Sequence, residues 1–199
     1  NQLRASKRLS IIIPVVLFAI FLILYFQFRS VITSLIVFTG IGVALAGGFT
    51  MLWLYGQTWF VDFSFLGANM RELFQMGDIN ISVAVWVGFI ALFGIATDDG
   101  VVMATYLKDN FKDKEFESVA EIRKLTLEAG KRRVRPCLMT TATTLIALVP
   151  ILTSTGRGSD IMIPMAIPAF GGMLIAIITI FVVPVLYALW REKQLEVRV

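Results

Sequence analysis

The chain has 199 residues, of which 57% are hydrophobic and only 16% charged, with a mean hydropathy of +0.81. Soluble domains carry about a quarter charged residues, and one globular core does not absorb several apolar runs of about 20 residues, so the composition excludes an ordinary soluble fold. The net charge of +4 does not point to nucleic acid, because the basic residues flank apolar runs; one cysteine excludes an internal disulfide, and the absence of histidine removes the usual zinc ligand and proton shuttle.

Residues 1–10 form a polar stub without an initiating methionine. It runs straight into the first apolar segment, which reads as an excerpt of a longer chain rather than a secretory leader. Residues 11–56 hold two apolar segments, 11–28 and 31–56. Residues 57–81 form a loop whose Trp59, Phe60, Phe63, Phe65 and Phe74 suit an aromatic belt at a membrane interface or a docking surface for a domain outside the membrane. A third apolar segment covers 82–107. Residues 108–136 are strongly basic and enclose an amphipathic stretch, 116–129, with Phe116, Val119, Ala120, Ile122 and Leu127 among charges. This predicts a helix lying on the bundle, with Pro136 opening the next helix in its first turn. Residues 137–190 hold the last two apolar segments, 137–153 and 161–190, and 191–199 a charged tail. No segment shows the period-two alternation of a barrel strand. The expected fold class is therefore all-α, a polytopic membrane bundle of five transmembrane helices.

Charge orients the bundle. Arg29, the 108–135 loop and the tail hold 13 of the 18 basic residues, which places that loop and the C-terminus in the cytoplasm and, with five crossings, the N-terminus outside.

The third segment, VAVWVGFIALFGIATDDGVVMATYL, carries Asp98 and Asp99. An ionised Asp at the centre of a membrane helix costs about 2.5–3.5 kcal/mol, so the pair is either solvated at a helix break near the surface or a protonatable site that titrates as a unit. At 100° per residue, Ala91, Gly94 and Asp98 share one face, opposite Trp86, Phe89 and Phe93. Small residues mark helix contacts, which predicts Asp98 facing the bundle interior and Asp99 a quarter-turn round. In the fourth segment Cys137, Thr140, Thr141 and Thr144 follow at i, i+3, i+4 and i+7. These hydroxyls either bond back to their own helix or reach the acid or a water across the interface. Most of the eight methionines read as packing residues. Met162, after the loop STGRGSD, is the candidate soft metal ligand. There is no phosphate-binding loop and no nucleophile–base pattern, so no enzyme is expected.

The order FGIATDDGVVMATYL, RRVRPCLMTTATTLIALVPIL, GSDIMIPMAIPAFGGMLIA, preceded by QLRASKRL, resembles the last five of the twelve helices of resistance-nodulation-division efflux pumps. The likeness is greatest to their heavy-metal branch and, within it, to the copper/silver exporters. That resemblance implies a proton-driven metal-cation exporter of the bacterial inner membrane, N-terminus of this segment periplasmic. It implies a homotrimer in membrane lipid, working with a periplasmic adaptor and an outer-membrane channel. Metal ion and protons are its substrates, and no resident cofactor is implied. An exporter of drugs or other hydrophobic solutes and a protein-export subunit of the same superfamily are the alternatives. Asp98 falls where the metal branch has an acid and the drug branch a lysine. Thr140 and Arg133 match relay-associated residues, and Met162 matches a methionine of the copper/silver relay. The sequence departs from the family pattern in three places. Cys137 stands where copper/silver members have lysine, so it is either a small packing residue or a soft ligand. Asp99 is an additional acid, and the 57–78 loop is longer.

Overall fold

A computed structural model describes residues 2–65, 68–112 and 118–198. Five of its helices are long and apolar enough to cross a membrane. The first, α1 (Gln2–Phe28), ends where Arg29 enters the left-handed region at φ 50°. The Arg29 N–H closes back on the Tyr25 carbonyl at 2.8 Å, and Ser30 then caps the next helix, α2 (Val31–Tyr55), by accepting from the Thr33 N–H. Lys108 donates to the Phe28 carbonyl at 2.9 Å, placing a cation at the negative end of α1.

Residues after Tyr55 form a built loop. A two-residue antiparallel ladder, β1 (Ser64–Phe65) with β2 (Ala68–Asn69), leads into a single turn, α3 (Met70–Leu73), capped by the Asn69 side chain. Arg71 clamps the loop by donating to the carbonyls of Gln57 and Thr58 at 2.7 and 2.9 Å. Of the aromatics read as an interfacial belt, Trp59 and Phe63 are exposed, whereas Phe60 and Phe74 pack inward beside Tyr55 and Leu152. The Phe65 side chain lies outside the described residues. The ladder is an addition to the all-α expectation, too short to alter the fold class.

The remaining helices are α4 (Val83–Phe111), α5 (Val119–Leu152) and α6 (Ser159–Arg198). Two expectations about the basic region are corrected here. The amphipathic stretch and the fourth apolar segment form one continuous helix, and Pro136 lies inside it rather than in its first turn. Nothing between Val119 and Arg135 breaks a helix, and Pro136 removes only the bond to the Arg132 carbonyl, a loss that membrane helices tolerate. Of the stretch's apolar residues, Ile122 is buried and Leu127 exposed; Phe116 lies outside the described residues. Likewise α6 continues through the charged tail, joined to α5 by a bidentate Arg123–Glu192 pair at 2.8 and 3.0 Å.

The centre of the bundle is α6, packed along α2, α4 and α5. Its approach to α2 and α4 is set by glycines. A Cβ on Gly47 would stand 2.8 Å from the Gly171 carbonyl oxygen, and one on Gly88 would overlap the Met165 carbonyl and the Pro168 ring. The space around these crossings is filled by a stack of aromatics, Phe49 on Phe89 at 4.6 Å with Phe93 beyond. The outer surface carries Ile11, Val15, Phe18, Phe26, Ile146 and Ile178, all exposed, as lipid contact requires.

Candidate functional site: a carboxylate held between two helices

The buried stripe of α4 comprises Val85, Gly88, Phe89, Leu92, Phe93, Ala96, Thr97, Gly100, Met103, Ala104 and Leu107. Among these five helices this reverses the predicted orientation. Phe89 and Phe93 face inward among these five helices, whereas Ala91, Gly94 and Asp98 are exposed on the face that the bundle leaves open. Both faces of α4 offer a contact surface, one through Gly88 and Gly100, the other through Ala91 and Gly94, and periodicity does not rank two such faces.

One residue on, the helical rotation turns Asp99 toward α5, where it is half-buried. The Thr141 hydroxyl lies 2.9 Å from Asp99 Oδ2, and the Thr140 hydroxyl 3.5 Å from Oδ1. Thr141 is itself buried, so its bond to an ionised carboxylate is worth about 1.5–3 kcal/mol rather than the smaller value of a solvent-exposed contact. The threonine stripe thus both bonds back to its own helix and reaches across the interface, and the acid it reaches is Asp99. A helical wheel places Asp98 and Asp99 100° apart but does not say which of them meets α5. Only the packing of α5 on α4 decides that.

Within α5, the hydroxyls of Thr140 and Thr141 also lie 2.8 and 2.9 Å from the Cys137 carbonyl oxygen, and Thr144 donates to the Thr140 carbonyl at 2.9 Å. The Cys137 side chain is buried in the apolar cluster of Met103, Leu107 and Ile180, as a packing residue would be. Arg133 lies one turn before Cys137. Its guanidinium stacks over the Tyr106 ring at 5.2 Å, and its Nε is buried without a hydrogen-bond partner among the described residues. No described hydrogen bond or ion pair joins Arg133 to Asp98 or Asp99. The stacking on Tyr106 was not anticipated; Tyr106 sits seven residues after Asp99 and so on the same face, a signal visible in retrospect.

Met162 occupies the first turn of α6, 43% exposed, where Gly158 at φ 95° turns the chain into the helix. Among the described residues no three His, Cys, Asp or Glu side chains converge as a metal site would require. Asp99, Thr140 and Thr141 are brought together at the α4–α5 pair, with Asp98 beside them on the open face of α4, whereas Met162 is on another element.

Residues 1–191 match the family model described as the AcrB/AcrD/AcrF family. Among curated proteins, the chain is 33% identical over 199 residues to the cation efflux system protein CusA of Escherichia coli K12, covering 96% of this chain and 17% of that protein. It is 32% identical over 192 residues to the cobalt-zinc-cadmium resistance protein CzcA of Cupriavidus metallidurans, covering 96% of this chain and 15% of that protein. A crystal structure of a heavy metal efflux pump superposes with a TM-score of 0.72 at 28% identity, over 95% of this chain and 16% of that one. The chain thus spans about one sixth of the length of the relatives it matches.

Proposed function

Because the chain belongs to the AcrB/AcrD/AcrF family, the resistance-nodulation-division efflux pumps, and to their heavy-metal branch, we propose that it is the last membrane portion of a proton-driven heavy-metal cation exporter. The observation that carries this reading is the division of the acid pair. Asp99 is fastened to Thr141 of α5, while Asp98 stands on a small-residue face that these five helices leave open.

An ionised side chain on an apolar bundle is costly unless other groups cover and solvate it. Ala91 and Gly94 beside Asp98 are the residues that let another helix approach closely. In this reading the other membrane helices of the transporter cover that face, and Asp98 exchanges its proton there. Each proton entering under the membrane potential contributes about 2.3 kcal/mol per 100 mV, and loss of a charge from the interface changes which helix arrangement is preferred.

The same reading puts the protein in the bacterial inner membrane as a homotrimer, the α5 start and C-terminus cytoplasmic, with a periplasmic adaptor and an outer-membrane channel as partners. The relatives' names cover several metals, among them cobalt, zinc and cadmium. The choice of Cu(I) and Ag(I) within this reading rests on the resemblance to the copper/silver exporters, in which Met162, a thioether in the first turn of α6 suited to soft cations, matches a relay methionine.

The test is complementation of a metal-sensitive strain with the full-length gene, followed by growth on copper, silver, zinc, cobalt and nickel. Resistance to at least one metal, together with transport of that metal in everted vesicles that stops when the proton gradient is collapsed, is the expected result. Growth unchanged on all five overturns the reading. Within it, Met162→Leu keeps the apolar bulk and removes the sulfur. It is expected to lower copper and silver tolerance severalfold while leaving expression unchanged; equal tolerance in variant and parent removes Met162 from the path.

A further inference from the structure

The Thr141 hydroxyl has one proton and two acceptors at equal distance. Asp99 Oδ2 and the Cys137 carbonyl oxygen each lie 2.9 Å away. When Asp99 is ionised it offers only lone pairs, so the hydroxyl proton goes to the carboxylate, across the α4–α5 contact. When Asp99 carries a proton it becomes a donor. Its O–H then points at Thr141 Oγ1, and the threonine proton turns to the Cys137 carbonyl within α5. Both states keep every group bonded, no covalent bond other than the carboxyl O–H forms or breaks, and the bond between the helices reverses direction.

We propose that Thr141 is the positioning residue through which proton uptake at Asp99 is communicated to α5, by reversal of the Asp99–Thr141 hydrogen bond against the Cys137 carbonyl. The proposal rests on the reading of the acid pair as the proton site and adds which acid addresses α5 and by what contact. Thr140 backs it up. Its hydroxyl has the same two acceptors, at 2.8 Å to the Cys137 carbonyl and 3.5 Å to Asp99 Oδ1, so its proton stays mainly on its own helix.

Few other groups compete for this switch. Asp98 is the ionisable neighbour on α4, and Cys137 and Arg133 are those on α5. The elements on the other sides of α4 supply none at this level. Residues 9–24 of α1, 31–54 of α2 and 161–186 of α6 contain no ionisable side chain. Because the ionised state holds a charge-assisted bond between the helices and the protonated state a neutral one, the α4–α5 contact is tighter before proton uptake than after it.

The experiment is an infrared titration of the carboxyl C=O band in the full-length protein reconstituted in lipid, with Asp99→Asn assigning the band. Thr141→Val removes the hydroxyl at constant shape, Thr141→Ala removes it with less bulk, and Thr141→Ser restores it. Loss of the donor weakens the ionised state more than the protonated one. Both hydroxyl-free variants are therefore expected to take up the Asp99 proton about one pH unit higher than the parent, while Thr141→Ser overlays it. In the Asp99→Asn background, Thr141→Val is expected to leave the pH dependence of the remaining carboxyl bands unchanged, as non-additivity requires if the threonine acts only through that acid. An unshifted band in a folded Val or Ala variant, or a Ser variant that titrates with Val, overturns the proposal. The titration requires no transport, so a displaced band in a protein that moves no metal supports the switch while rejecting the exporter reading.

Discussion

Asp98→Asn is expected to reduce metal resistance to that of a strain carrying no pump, with normal amounts of protein in the membrane. Asparagine keeps the size and most of the polarity of the side chain and removes its capacity to exchange a proton, so the loss is one of energy coupling rather than of packing. Asp98 is exposed on the α4 face formed with Ala91 and Gly94, away from the glycine crossings that hold the bundle together, so the substitution disturbs no close contact among these helices. Growth on the relevant metal and proton flux in everted vesicles are the measurements. Resistance equal to the parent would remove Asp98 from the proton path, and loss of resistance accompanied by loss of protein would assign it a structural role instead.

Gly88→Ala is expected to destabilise the protein by about 1–3 kcal/mol, the usual cost of inserting a methyl into a filled site. The added carbon would overlap the Met165 carbonyl oxygen and the Pro168 ring, backbone and ring atoms that yield only if α4 and α6 move apart. The comparison is Gly42→Ala on α2, where a Cβ meets nothing within 4 Å. Helix propensity favours alanine at both positions, so a lower melting temperature and poorer yield for the Gly88 variant alone isolate the packing effect. Equal melting of the two variants would show that the α4–α6 crossing is not the tight contact described.

The two outcomes depend on different properties of one helix. One side of α4 is closed by α6 and α2 through Gly88, Leu92 and Gly100. The other presents Asp98 to the surroundings, and Asp99 lies between them against α5. A single helix carrying a fixed contact on one side and a protonatable group on the other is able to transmit a change of charge to its neighbours. In the proposed switch, the bond from Thr141 to Asp99 is the contact through which α5 senses a change of charge at that acid.

The sequence alone determined the number of membrane-spanning helices, the helical class and the position of the acid pair, because each follows from local quantities: run length, period and the cost of charge in hydrocarbon. The resemblance carried by FGIATDDGVVMATYL and RRVRPCLMTT likewise located the family. Tertiary structure decided what local quantities leave degenerate. Asp98 and Asp99 differ by 100° on the wheel, and both faces of α4 bear small residues, so only the packing of α6 on α4 through Gly88 and Gly172 shows that Phe89 and Phe93 point inward and Asp98 away from these five helices. The continuity of α5 through Pro136 was hidden for a related reason. Proline's local preference is to begin a helix, and the cost of one missing hydrogen bond is small beside a helix packed on α4 and α6 on both sides of that point. Periodicity measures what each residue prefers. Which preference prevails depends on the neighbours, and those are set by the whole bundle.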